Sequence, residues 1–105
     1  MPVWLPKVLK RIRALAAARR VLFTLKARRE LAALEFGLDQ QDACDVLSKL
    51  TAEESAGRLE SLVTGERMYL FKPSLAGAVL YVKVVLRSGC IVVSFHEDES
   101  HEDQA

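Results

Sequence analysis

Tyr81, Lys83 and Arg87 alternate along one apolar stretch, and His96 closes the next. Metal-free cleavage of RNA needs groups of these types. A base must take the ribose 2′-OH proton, an acid must protonate the leaving 5′-oxygen, and cations must face the charge that builds on phosphorus. Histidine is the side-chain type that titrates nearest neutrality, which suits His96 to either proton task. Lys83 and Arg87 would supply positive charge, and Tyr81 a donor or a stacking surface. The plain alternative is a solvent-facing strand surface on which these residues serve solubility alone. Other chemistries are less well served. Ser94 and His96 share a face, but spacing places no acidic third member of a hydrolase triad. His96, Glu97, Asp98, Glu99 and His101 form only an adventitious metal cluster in a polar segment, and there is no Gly-rich phosphate loop. Neither a metal nor a cofactor is expected.

A β-hairpin is what would position the chemistry. Leu80 to Arg87 and Cys90 to His96 are rich in Val, Ile, Tyr and Phe and are separated by Ser88-Gly89. If those two residues form the loop, Leu86 faces Ile91, Val84 faces Val93 and Val82 faces Phe95 on the core side. The other side pairs Val85 with Val92, Lys83 with Ser94 and Tyr81 with His96. Opposed Cβ atoms lie about 5 Å apart, close enough for a phenol and an imidazole to share one substrate.

Upstream, Pro2 and Pro6 suit a helix entry, and Leu5, Val8, Leu9, Ile12, Leu15 and Ala16 form a helical apolar stripe. Val21 to Thr24 favours a short strand. Ala27, Leu31 and Leu34 mark a second helix, with Gly37 as its C-terminal stop. Asp39 reads as the N-cap of a third, which carries Ala43, Val46, Leu47 and Leu50. Thr51 and Glu54 can form a capping box, while Leu59, Ser61 and Val63 also fit strand period, so two readings of this stretch stand. Met68 to Lys72 reads as a strand ended by Pro73.

With 105 residues, half of them apolar and 28% charged, the chain reads as one globular domain over residues 1–96. Residues 97–105 read as an acidic, disordered tail. The longest uncharged apolar run, Pro73 to Val82, is too short to span a membrane, so a soluble protein without a membrane partner is expected. Cys44 and Cys90 form no CxxC motif, which points to free thiols in a reducing cytoplasm. The net charge of +1 conceals a segregation. Met1 to Arg29 holds nine basic residues and no acidic one, and Glu97 onward holds five acids and no base. A basic body suits a polyanionic partner. Arg11, Arg19, Arg20, Arg67 and Lys72 are the residues expected to track an RNA backbone.

The order Gly37-Leu38-Asp39, Cys44 with Val46, Phe71-Lys72-Pro73, Gly77, Leu80-Tyr81-Val82-Lys83 and Ile91-Val92-Val93-Ser94-Phe95 resembles the motility quorum-sensing regulator (MqsR) family. These are toxins of bacterial toxin–antitoxin pairs, similar to RelE-type ribonucleases. The resemblance covers roughly Val21 to Glu97, and the Tyr-x-Lys strand followed by the Ile-Val-x-Ser-Phe strand is its most specific element. It implies an α+β fold with an antiparallel-rich sheet flanked by N-terminal helices. It also implies metal-independent endoribonuclease activity on messenger RNA, and a cognate antitoxin as partner. The family's functional tyrosine falls on Tyr81. Its last functional lysine falls on His96, and its glutamine on Met68. Its remaining lysine falls near Gly57 or Arg58, where Arg58 can stand in for the charge. The alternative is a catalytically inert module of the same fold that binds RNA or protein.

Overall fold

Each helix begins where a local signal fixes its first turn. The computed structural model describes residues 1–99. Pro6 opens α1 (Leu5–Ala17), whose buried stripe is Leu5, Val8, Leu9, Ile12 and Ala16. The helix ends on a reversal in which the Arg19 N–H donates to Ala16 O and the Arg20 N–H to Leu15 O. Arg19 occupies the left-handed position there with φ 59°, where glycine is usual. A Cβ at that position costs roughly 1–2 kcal/mol. The chain then forms β1 (Val21–Phe23), and the Thr24 hydroxyl caps α2 (Leu25–Ala33) by accepting the Ala27 N–H. Asp39 and Asp42 cap α3 (Gln40–Ser48) reciprocally.

After a 3₁₀ turn at Ala52–Glu54 five strands follow: β2 (Ser55–Glu60), β3 (Arg67–Phe71), β4 (Ser74–Leu75), β5 (Ala78–Leu86) and β6 (Cys90–Glu97). Strand order is β1-β6-β5-β3-β2, with β4 paired to β5. Among the described residues only the β1–β6 pairing is parallel. The α+β expectation, with an antiparallel-rich sheet and flanking helices, is met. Phe71, Leu80, Val82, Val84, Val92 and Phe95 face one side of the sheet and form a single cluster with the buried stripes of all three helices. Among the described residues the three helices build this core on one face, and the opposite face is turned away from it. Tyr81, Lys83, Ser94 and His96 lie on that opposite face.

The outer half of the β5–β6 hairpin has the expected register, with Tyr81 opposite His96, Val82 opposite Phe95 and Lys83 opposite Ser94. Further in, the pairs Leu86 with Ile91, Val84 with Val93 and Val85 with Val92 are replaced by Leu86 with Cys90, Val84 with Val92 and Val85 with Ile91. The loop holds three residues rather than two, closed by the Arg87 N–H donating to Gly89 O, and a bulge at Val93 restores the register. Val92 is thereby turned into the core.

Other differences are local. α2 stops at Ala33 because Leu34 is already extended, so Gly37 (φ 69°) shapes a loop instead of ending the helix. Of the two readings of residues 51–63, the capping box closes only a 3₁₀ turn, and Leu59 lies in a strand. Of the acidic segment expected to be a tail, Glu97 ends β6 and Asp98 is buried. The folded domain thus runs past residue 96. Residues 100–105 lie outside the described residues.

Candidate functional site

Cross-strand pairing brings the Tyr81 and His96 rings into a near-parallel stack, with centroids 5.0 Å apart and planes 14° from parallel. Lys83 Nζ sits 5.9 Å from the centre of the Tyr81 ring. His96 Nδ1 lies 2.8 Å from Glu97 O. A carbonyl oxygen can only accept, so Nδ1 carries the proton and, in the neutral ring, Nε2 keeps its lone pair. Nε2 lies 3.9 Å from Glu30 Oε2.

Glu30 comes from α2, which runs beside the outer edge of β6 past the end of β1. The Phe95 N–H donates to Glu30 Oε1 at 3.1 Å, and Lys26 Nζ lies 3.2 Å from Oε2. Lys26 Nζ also donates to Ser94 Oγ at 2.8 Å. On the other flank Lys72, one residue past the Phe71–Val82 pair, lies 3.3 Å from Asp98 Oδ2. The tyrosine–histidine pair is thus set among Lys26, Lys72 and Lys83, with Glu30 and Asp98 interleaved. Sequence reasoning missed Lys26 and Glu30. Their only signal is the spacing of a helical ion pair, which does not say that α2 lies against β6.

The hollow next to His96 is acidic, not basic. This cavity of about 640 Å³ is lined by Glu30, Glu35, Glu97 and Glu99 together with Phe36 and His96. Four carboxylates there disfavour a phosphate. The lysine side of the stack is the side that suits an RNA backbone.

Several predicted site residues lie elsewhere. Arg58 pairs with Tyr69 on the helix-bearing face, its guanidinium 5.0 Å from the centre of the Trp4 ring, so it is separated from His96 by the sheet. A bulge between Ser55 and Gly57 sets this register. Met68 shares the open face but lies along β3 beside Leu59 and away from the stack. Arg87 shares that face by alternation, yet six strand steps put it about 20 Å from Tyr81. It is engaged there with Glu66, through Nε at 2.6 Å and Nη2 at 2.8 Å. Arg11 donates to Arg87 O at 2.6 Å, and Arg19 pairs with Asp45 at 2.7 Å. Arg11, Arg19, Arg20 and Arg87 therefore gather at the hairpin turn. Arg67 is exposed opposite Glu60, on the side of the sheet that bears Tyr69.

Among the described residues no three His, Cys, Asp or Glu side chains converge in metal-binding geometry, and no helix is long and apolar enough to cross a membrane. His101 lies outside those residues.

Fold and site together define a small α+β protein whose stacked tyrosine and histidine sit on the face of its sheet turned away from the helical core. Within that class the chain belongs to the motility quorum-sensing regulator family, whose description reads "Motility quorum-sensing regulator, toxin of MqsA" and whose pattern matches residues 6–97. The match runs from the first turn of α1 to the end of β6. Membership makes this a protein of a toxin family and implies an antitoxin partner. Comparison with curated proteins returns no match.

Proposed function

We propose that the protein is the toxin of a toxin–antitoxin pair, acting in the cytoplasm as a metal-independent endoribonuclease on messenger RNA. The observation that carries this reading is the Tyr81–His96 stack with Lys83 beside it. His96 Nε2 takes the 2′-OH proton, and the 2′-oxygen attacks phosphorus. The P–O5′ bond breaks, and the proton passes from the imidazolium to the 5′-oxygen. The products are a 2′,3′-cyclic phosphate and a 5′-hydroxyl. Glu30, 3.9 Å from Nε2, stabilises the imidazolium between the two transfers. Tyr81 orients the substrate or donates to the leaving oxygen, while Lys83 and Lys26 face the charge on the phosphorane. Lys72 contacts the backbone once a phosphate competes with Asp98. A cognate antitoxin holds the activity in check.

A second reading, an inert RNA- or protein-binding module, is favoured by the place of Arg58 on the far face and by methionine at position 68. Incubating the purified protein with RNA in EDTA separates the two. A cyclic-phosphate-ended product that falls by about 10²–10⁴ in His96→Ala supports the nuclease. Uncut RNA with retained binding supports the module.

A further inference from the structure

A second cavity, of about 450 Å³, opens at the turn of the β5–β6 hairpin and is lined by Arg19, Arg20, Arg87, Ser88, Leu22 and Ile91, with Val21 and Gly89 behind them. No carboxylate lines it, in contrast to the hollow beside His96. Its arginines arrive from three parts of the chain: the end of α1, the entry to β1 and the hairpin loop. Arg11 adds a further guanidinium at the same turn through its bond to Arg87 O. Arg19 lines the cavity from the left-handed position that glycine would fill without strain. Asp45 and Glu66 engage Arg19 and Arg87, whereas the Arg20 side chain has no partner among the described residues.

We propose that this arginine cavity holds backbone phosphate of the RNA strand several nucleotides away from the tyrosine–histidine pair, a reading that rests on RNA being the substrate. Leu22 pairs with Ile91 and Ile91 with Val85, so the cavity opens onto the sheet face that carries Tyr81 and His96. A strand lying on that face reaches both places without crossing an edge. The separation of about 20 Å along β5 corresponds to about six stacked nucleotides at 3.4 Å each.

The test uses fully 2′-O-methylated single-stranded oligonucleotides, which bind without offering a 2′-OH for attack. A fluorescent 12-mer is followed by anisotropy across a potassium chloride series, and an unlabelled 4-mer serves as competitor. In Arg20→Ala the 12-mer is expected to bind about fivefold more weakly at 0.1 M salt, with the log–log salt slope reduced by about 0.7, the effect of one lost phosphate contact. The 4-mer should lose nothing. Arg28→Ala, on the exposed face of α2, removes the same charge away from the cavity and should leave the 12-mer unchanged. The proposal is overturned if Arg20→Ala leaves the 12-mer unaffected, weakens both lengths alike, or merely matches Arg28→Ala. Should RNA still be cut when any of these occurs, the nuclease reading stands and only the remote anchor falls. If no oligonucleotide binds and no RNA is cut, both fall.

Discussion

Replacing Glu30 by alanine separates its structural task from its chemical one. Oε1 accepts the N–H of Phe95, a residue with 0% exposure, on a stretch of β6 that lies past the end of β1 and that no other strand covers among the described residues. Leaving a buried amide without an acceptor costs about 1–3 kcal/mol. The Glu30 side chain retains 22% of its exposure, so water recovers part of that loss and the lower half of the range applies. The lost i,i+4 pair with Lys26 adds about 0.3–0.5 kcal/mol. Glu30→Ala should therefore destabilise the fold by about 2 kcal/mol, or about 10 °C in Tm for a domain of this size. Urea and thermal unfolding measure the loss, and amide exchange locates it, since the Phe95 amide should lose protection first. Glu30→Gln keeps an acceptor for that amide and should recover more than half of the stability. It removes the charge that faces His96, so its RNA cleavage should stay impaired. An alanine variant within 0.5 kcal/mol of wild type, or a glutamine variant as unstable as alanine, would refute the edge-capping argument.

Three other outcomes follow from single contacts. Asp39→Ala breaks the reciprocal cap of α3 and should cost about 1 kcal/mol in urea unfolding. Two hydrogen bonds from Arg87 hold the Glu66 carboxyl below its ordinary range. The unfolded chain then binds the proton more readily, so this contribution is complete above the usual carboxyl range and disappears as pH falls through the depressed value. In Arg87→Met the fall in stability from neutral pH towards about pH 3 should be shallower than in wild type. Burial pushes the Cys90 thiol up to about 12, so at pH 8 it should resist a thiol reagent in the folded protein and react only after denaturant is added. Rapid labelling of Cys90 in native protein would contradict that burial.

The part of the site that strand alternation controls was legible, whereas the loop length was not, and Tyr81 still faces His96 because the bulge in β6 offsets the extra loop residue. Tyr81 and His96 belong to one hairpin, and apolar residues at every second position of β5 fix which face each occupies. The bulge at Val93 was not legible, because Ile91, Val92 and Val93 are all apolar and any of them satisfies a core position. Arg58 was misplaced for a related reason. The irregularity between Ser55 and Gly57 governs its face, and the alternation around it is too weak to reveal a break. The acidic lining was hidden more deeply. Glu30 and Glu35 come to line the hollow beside His96 because β1 pairs parallel with β6, and nothing local in either segment records that pairing. Helix starts were read well from Pro6 and Asp39. The end of α2 was not, because Leu34 kept the helical spacing after the backbone had left the helix.

The position of β6 between β1 and β5 also dictates when the molecule can be finished. Until residues 90–97 are available, β2, β3 and β5 can pair, but among the described residues β1 has no partner strand and α2 lacks the strand it chiefly packs on. Bringing Val21 to Cys90 closes a loop of most of the chain, the slow kind of contact in folding. Interrupted synthesis, or clipping within the last hairpin, would therefore leave β2, β3 and β5 without the strand that joins them to β1.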